Sequence, residues 1–188
     1  MKHPLDFLPL TSRKPIFLAL LALTLGLFAI FRVLNAPLVT SVAPGGIVTF
    51  ELAGSPEKAF QVMASWEPVS GTPLLGIEGI KPYLFAAFGL GLDYLFMPAY
   101  TLALAVGALL AAGRHKGWFH SLGAVAAYGA FAAALLDGVE NYALWHVLLG
   151  EYSSPYPALA AVCAYLKFTL IFVGIAYALI GWVLPKRS

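Results

Sequence analysis

Four apolar stretches, over residues 15–34, 83–112, 117–149 and 156–184, leave this 188-residue chain few folds to choose from. Crossing a bilayer core takes roughly 20 apolar residues in a helix. Backbone N–H and C=O groups have no water partner there, so a helix must satisfy them internally. The pattern predicts an all-α membrane protein, a four-transmembrane-helix bundle forming a single membrane domain over residues 1–188. Charged residues make up 11% of the chain, against about 25% in a typical soluble domain, which fits lipid as the main solvent. The single cysteine, Cys163, cannot form an internal disulfide and does not report the compartment.

Lysine and arginine orient the spans. Lys2, Arg13 and Lys14 precede the first, Arg114 and Lys116 separate the second and third, and Lys186 and Arg187 follow the fourth. The other side carries Lys58 and Lys81, with Arg32 at the end of the first span. Seven against three is a positive-inside bias that alternates as four spans require. It predicts a multi-pass protein of the cytoplasmic (inner) membrane with both termini cytoplasmic. The first span reads as a retained signal-anchor rather than a cleaved signal peptide, because no small-x-small site follows it and Arg32 interrupts the site region.

Residues 35–82 are too many for a simple connector and predict a small extracytoplasmic cap. Two β-type runs, 38–42 and 47–52, flank the turn Pro44-Gly45-Gly46. A short helix follows, with Ser55 as N-cap, Pro56 at the first helical position and Phe60, Met63 and Trp66 along one apolar edge. The stretch "PVSGTPLLGIEGIKP" then reads as irregular, from its glycine and proline spacing.

Against this background the stretch "LLDGVENYALWHVLLG", residues 135–150, stands out. On a helix, Asp137, Glu140 and Asn141 fall at i, i+3 and i+4 and share one face. The face continues upstream through Gly123, Ala126, Ala130 and Ala133 or Ala134, small residues that let helices approach closely. Tyr142 and Trp145 read as an outer aromatic belt, which places Asp137 about 8–12 Å below it. Asp93 in the second span and Lys167 in the fourth lie at matched depth, about 15 Å in, and predict a mutual contact. Arg32 lies at a depth that reaches Glu140 or Asp137. Together Asp93, Asp137, Glu140, Asn141, Lys167 and Arg32 form a candidate polar, ligand-binding cluster in the outer half of the membrane. Three acids face two bases, so either one carboxyl stays protonated or a cationic group completes the site. Pro98 frees the Tyr94 carbonyl beside Asp93 and adds a kink.

Other chemistry is poorly supported. His115 and His120 sit at one end of the third span and His146 at the other, and no Glu-x-x-His spacing exists, so no metal is expected. The chain has no nucleophile elbow, phosphate loop or dinucleotide glycine motif, hence no cofactor. Its basic residues form short flanks and not a patch interleaved with aromatics, which excludes nucleic acid.

The segments "FELAGSPEKAFQVMASW", "GLDYLFMPAYTLAL", "ALLDGVENYALWHVLLG" and "AYLKFTLIFVGIAYAL" resemble a group of uncharacterised bacterial four-span integral membrane proteins. The resemblance covers residues 50 to 180 and implies a fold and a bacterial setting, with no established activity.

Three functional classes remain open. A non-enzymatic binding or accessory protein would hold a lipid, small amphiphile or partner membrane protein at the acidic cluster, with membrane lipids as its constant partners. An intramembrane enzyme would use Asp137 or Glu140 as general acid or base on a lipid-soluble substrate. A proton- or ion-coupled carrier would act as a homo-oligomer, since four short spans enclose little pathway. With no nucleophile, cofactor motif or metal set, the first class leads.

Overall fold

A computed structural model describes residues 2–67, 72–74, 77–153 and 155–185. Four long apolar helices dominate it: α1 (Leu10–Asn35), α4 (Pro82–Ala112), α5 (Gly117–Leu148) and α6 (Tyr156–Val183). They contain 26, 31, 32 and 28 residues. At about 1.5 Å per residue they run roughly 39–48 Å, beyond the ~30 Å of a hydrocarbon core. All four are long and apolar enough to cross a membrane. Between α1 and α4 lie a 3-10 turn (Ala36–Leu38), α2 (Ile47–Glu51), α3 (Pro56–Trp66), β1 (Thr72–Leu74) and β2 (Ile77–Ile80).

Glycine marks the helix boundaries where the chain must turn sharply. Gly117, at φ +68, lets α5 start after a link of only four residues from the end of α4. Gly150, at φ +96, follows α5, and its N–H returns to the Val147 carbonyl at 3.0 Å.

The cap departs from expectation. Residues 38–42 and 47–52 form no strands: the first run is a 3-10 turn and loop, and the second is α2. Asn35, at the end of α1, explains the change. Its Oδ1 accepts the Ile47 N–H at 2.7 Å and its Nδ2 donates to the Gly45 carbonyl at 3.3 Å. Thr49 Oγ1 accepts the Gly45 N–H at 2.9 Å. These contacts satisfy backbone groups around the first turn of α2, so local capping overrides the strand preference of Ile47-Val48-Thr49. Gly46 is required at φ +62, where an added Cβ would collide with the Asn35 side chain.

Strands occur instead in the segment read as irregular. β1 pairs antiparallel with β2, Thr72 opposite Ile80 and Leu74 opposite Ile77. Positions 68–71 and 75–76 of that segment lie outside the described residues, as do Ser154, Lys186 and Arg187.

α3 forms as read, with Ser55 Oγ accepting the Lys58 N–H at 3.3 Å. Its buried edge is shifted, however. Ala59, Val62 and Trp66 are buried and Met63 half-buried, while Phe60 is exposed. Trp66 Nε1 donates to the Leu38 carbonyl at 2.9 Å, and its ring packs 5.4 Å from Phe50.

By internal contacts the chain forms two compact units, Met1–Gly26 with Phe96–Leu136 and Leu166–Ser188, and Leu27–Leu95 with Asp137–Tyr165. In the first, Leu5, Phe17 and Leu20 pack with Val106 and Leu109 of α4 and with Ala127 and Phe131 of α5. In the second, Leu34, Leu38, Phe50 and Trp66 pack with Phe85 and Leu90 of α4, Leu144 and Val147 of α5 and Ala160 of α6.

Candidate functional site

The inward face of α5 is continuous. Gly123, Ala127, Ala130, Ala133, Asp137, Glu140, Asn141 and Leu144 are all buried and follow one another at spacings of one, three or four. Upstream the face is made of small residues, and Gly123 shows why. A Cβ there would meet Ala112 Cβ at 2.6 Å and the Tyr177 hydroxyl at 2.9 Å.

Five of the six expected polar residues lie in the second unit, and four of these belong to α4 and α5. Glu140 is 0% exposed, Asn141 1% and Asp137 2%. Asp93 is half-buried on α4, and its Oδ2 accepts a hydrogen bond from Asn141 Nδ2 at 2.8 Å. Asn141 thus ties the α4 acid to the face that carries Glu140 and Asp137. In an apolar layer such a bond is stronger than the same bond in water.

Arg32 does not join this group. It is exposed, on a turn of α1 whose inward position is taken by Leu34. Depth alone put Arg32 near the acids, but helical phase turns it away, two residues short of the buried Leu34. Lys167 is buried at 5% exposure in the first unit, its ammonium 5.0 Å from the Phe168 ring centroid.

At the expected outer belt, Tyr142 is exposed and meets the rings of His146 at 4.7 Å and Tyr156 at 6.0 Å. His146 stacks on Tyr156 at 4.1 Å and pairs through Nδ1 with Glu151 Oε1 at 3.0 Å. The aromatic contacts therefore continue from α5 onto α6, which spacing within α5 alone does not reveal.

The other histidines anchor backbone. His115 Nε2 lies 2.8 Å from the Gly181 carbonyl, and His120 Nδ1 lies 2.9 Å from the Ala112 carbonyl. Among the described residues no three His, Cys, Asp or Glu side chains are arranged to hold a metal ion. Cys163 is buried on α6 beside Ala160 and Ala164, as a packing residue would be.

Sequence reasoning missed one buried ionisable group outside the spans. His3 is 8% exposed, its Nδ1 accepts the Leu5 N–H at 3.1 Å, and burial pushes its imidazole below the ordinary histidine range. The only signal for it was the apolar Leu5 two residues on, which enters the core and draws His3 with it.

No family model, curated protein or solved structure matches the chain. What stands is a membrane protein with four long apolar helices and a buried acid-rich face on one of them.

Proposed function

We propose that the protein is a non-enzymatic binding or accessory protein of the bacterial inner membrane, with both termini in the cytoplasm. Its acidic site in the outer half of the membrane holds a lipid, small amphiphile or partner helix through a cationic or hydrogen-donating group. The observation that carries this reading is Glu140, fully buried in a helix long enough to span, one residue from the Asn141–Asp93 bond. A charged group at the centre of a span costs about 2.5–3.5 kcal/mol on insertion scales, and such residues default to function. Asp93 and Asp137 place two further carboxyls in the same unit, and Arg32 of that unit is exposed. A carboxyl-rich site of this kind suits a cationic or hydrogen-donating guest. Seven basic residues against three across the expected topology support the orientation, and the resemblance to bacterial four-span proteins supports the setting.

The test is ligand-induced stabilisation of detergent-purified protein by a long-chain primary amine, with a long-chain sulfonate as control. Binding at a hundredfold excess over Kd stabilises by about 2.7 kcal/mol. The amine should raise the unfolding midpoint of the wild type and leave Glu140→Gln unmoved. Equal shifts in the two proteins would sink the reading.

A further inference from the structure

The first unit is strongly basic. It holds eight of the eleven lysines and arginines and one of the nine acids, Asp6, a formal charge of +7. The second unit holds the remaining three bases and eight acids, a formal charge of −5.

Within the first unit, a groove of about 460 Å³ opens where α4 ends, α5 begins and α6 ends. Lys116 and His115 line it together with the apolar Trp118, Phe119, Leu184 and Pro185, and among the described residues no acid does. Its walls are already braced. His115, buried, bonds the Gly181 carbonyl at 2.8 Å and ties the connection to the end of α6. Phe119 stacks on Tyr177 at 4.8 Å, and the Tyr177 hydroxyl donates to the Phe119 carbonyl at 2.9 Å. Beside the groove, the Arg114 guanidinium lies 4.9 Å over the Trp182 ring. Trp118 is 73% exposed and Trp182 is also exposed, as tryptophans are where spans leave the hydrocarbon layer.

We propose that this groove binds the phosphate of an anionic glycerophospholipid. Lys116 supplies the charge, and the apolar walls of Trp118, Leu184 and Pro185 accept the glycerol and upper acyl chain. The apolar lining and the position at three helix ends favour a lipid over free phosphate, because an ion alone leaves those walls wet. Basic pockets between spans on the cytoplasmic side are fitted to such headgroups. The site shares no residue with the acidic one; the inference rests on the proposed orientation but not on the acidic site's guest.

The experiment is native mass spectrometry of delipidated full-length protein with dioleoyl phosphatidylglycerol, dioleoyl phosphatidylcholine or inorganic phosphate as probe. Wild type should retain phosphatidylglycerol in preference to phosphatidylcholine, and excess inorganic phosphate should not displace it. Lys116→Gln should lower that retention about fivefold, the worth of one basic side chain near an anionic headgroup. Lys14→Gln, an exposed charge in the same unit but outside the groove, should change it little. No headgroup preference, displacement by inorganic phosphate, or equal losses in the two variants would overturn the proposal. Both lysines are exposed, so neither change threatens the fold.

Discussion

At the scale of single residues, Asn141 and Gly46 do the work their neighbours cannot. Asn141 donates to Asp93 from the acid face of α5, at 2.8 Å. Asn141→Leu keeps the volume and removes the donor, and should lower stability by about 1.5–3 kcal/mol, the range for a hydrogen bond to a charged group. Thermal unfolding in detergent measures this, and an unchanged midpoint would mean the bond contributes nothing. Gly46 holds a backbone that a side chain would strain, against the Asn35 amide. Gly46→Ala should cost about 1–3 kcal/mol and release the cap first, read as faster proteolysis near residues 45–53 than in wild type. Both residues are ordinary in the sequence. Asn141 was legible because it shares a helical face with two acids, whereas the role of Asn35 was not, because it acts across ten to twelve residues of loop.

At the scale of elements, helix contacts and the N-terminal turn make separate predictions. Gly123→Ala forces a Cβ against Ala112 and Tyr177 and should destabilise by about 1–3 kcal/mol. Gly26→Ala, with nothing within 4 Å, should instead stabilise by about 0.5–1 kcal/mol through better helix propensity. Opposite signs in parallel melts are the expected outcome. The N-terminal turn is held by His3 and Leu5 and by Arg13, whose Nε donates to the Leu8 carbonyl at 2.9 Å. His3 faces Asp6 and Arg13 from the N-terminal side, the Ala105 carbonyl from α4 and His120 from α5. Its folded pKa lies below the ordinary 6.5. The undocked turn therefore takes up a proton first, and docking weakens as pH falls below about 6.5. Amide exchange over residues 3–8, corrected for intrinsic rate, should accelerate between about pH 7.5 and pH 5.5 in wild type but not in His3→Phe. The long helices were legible from apolar length. The inward face of α5 was legible from spacing. The cap strands were misplaced, because β-branched residues at 47–49 announce a strand that Asn35 converts to a helix. Arg32 was misassigned because depth was weighed without helical phase.

At the scale of the whole molecule, charge is segregated: +7 in one unit and −5 in the other. The proposed orientation, basic flanks on the cytoplasmic side, predicts that a fluorescent protein fused after Ser188 fluoresces and that alkaline phosphatase inserted after Glu67 is active. The reverse pattern would invert the topology and move the acidic site to the inner leaflet. A guest held on the acid face of α5 should stay with the protein through purification. Wild type, Glu140→Gln and the distant control Lys58→Gln are purified identically from native membranes, and their co-purifying lipids and small molecules are compared by native mass spectrometry. At least one cationic or amine-bearing species should be present in wild type and Lys58→Gln and depleted in Glu140→Gln. Identical profiles in all three proteins would contradict it and leave the buried acids as a structural feature of the helices.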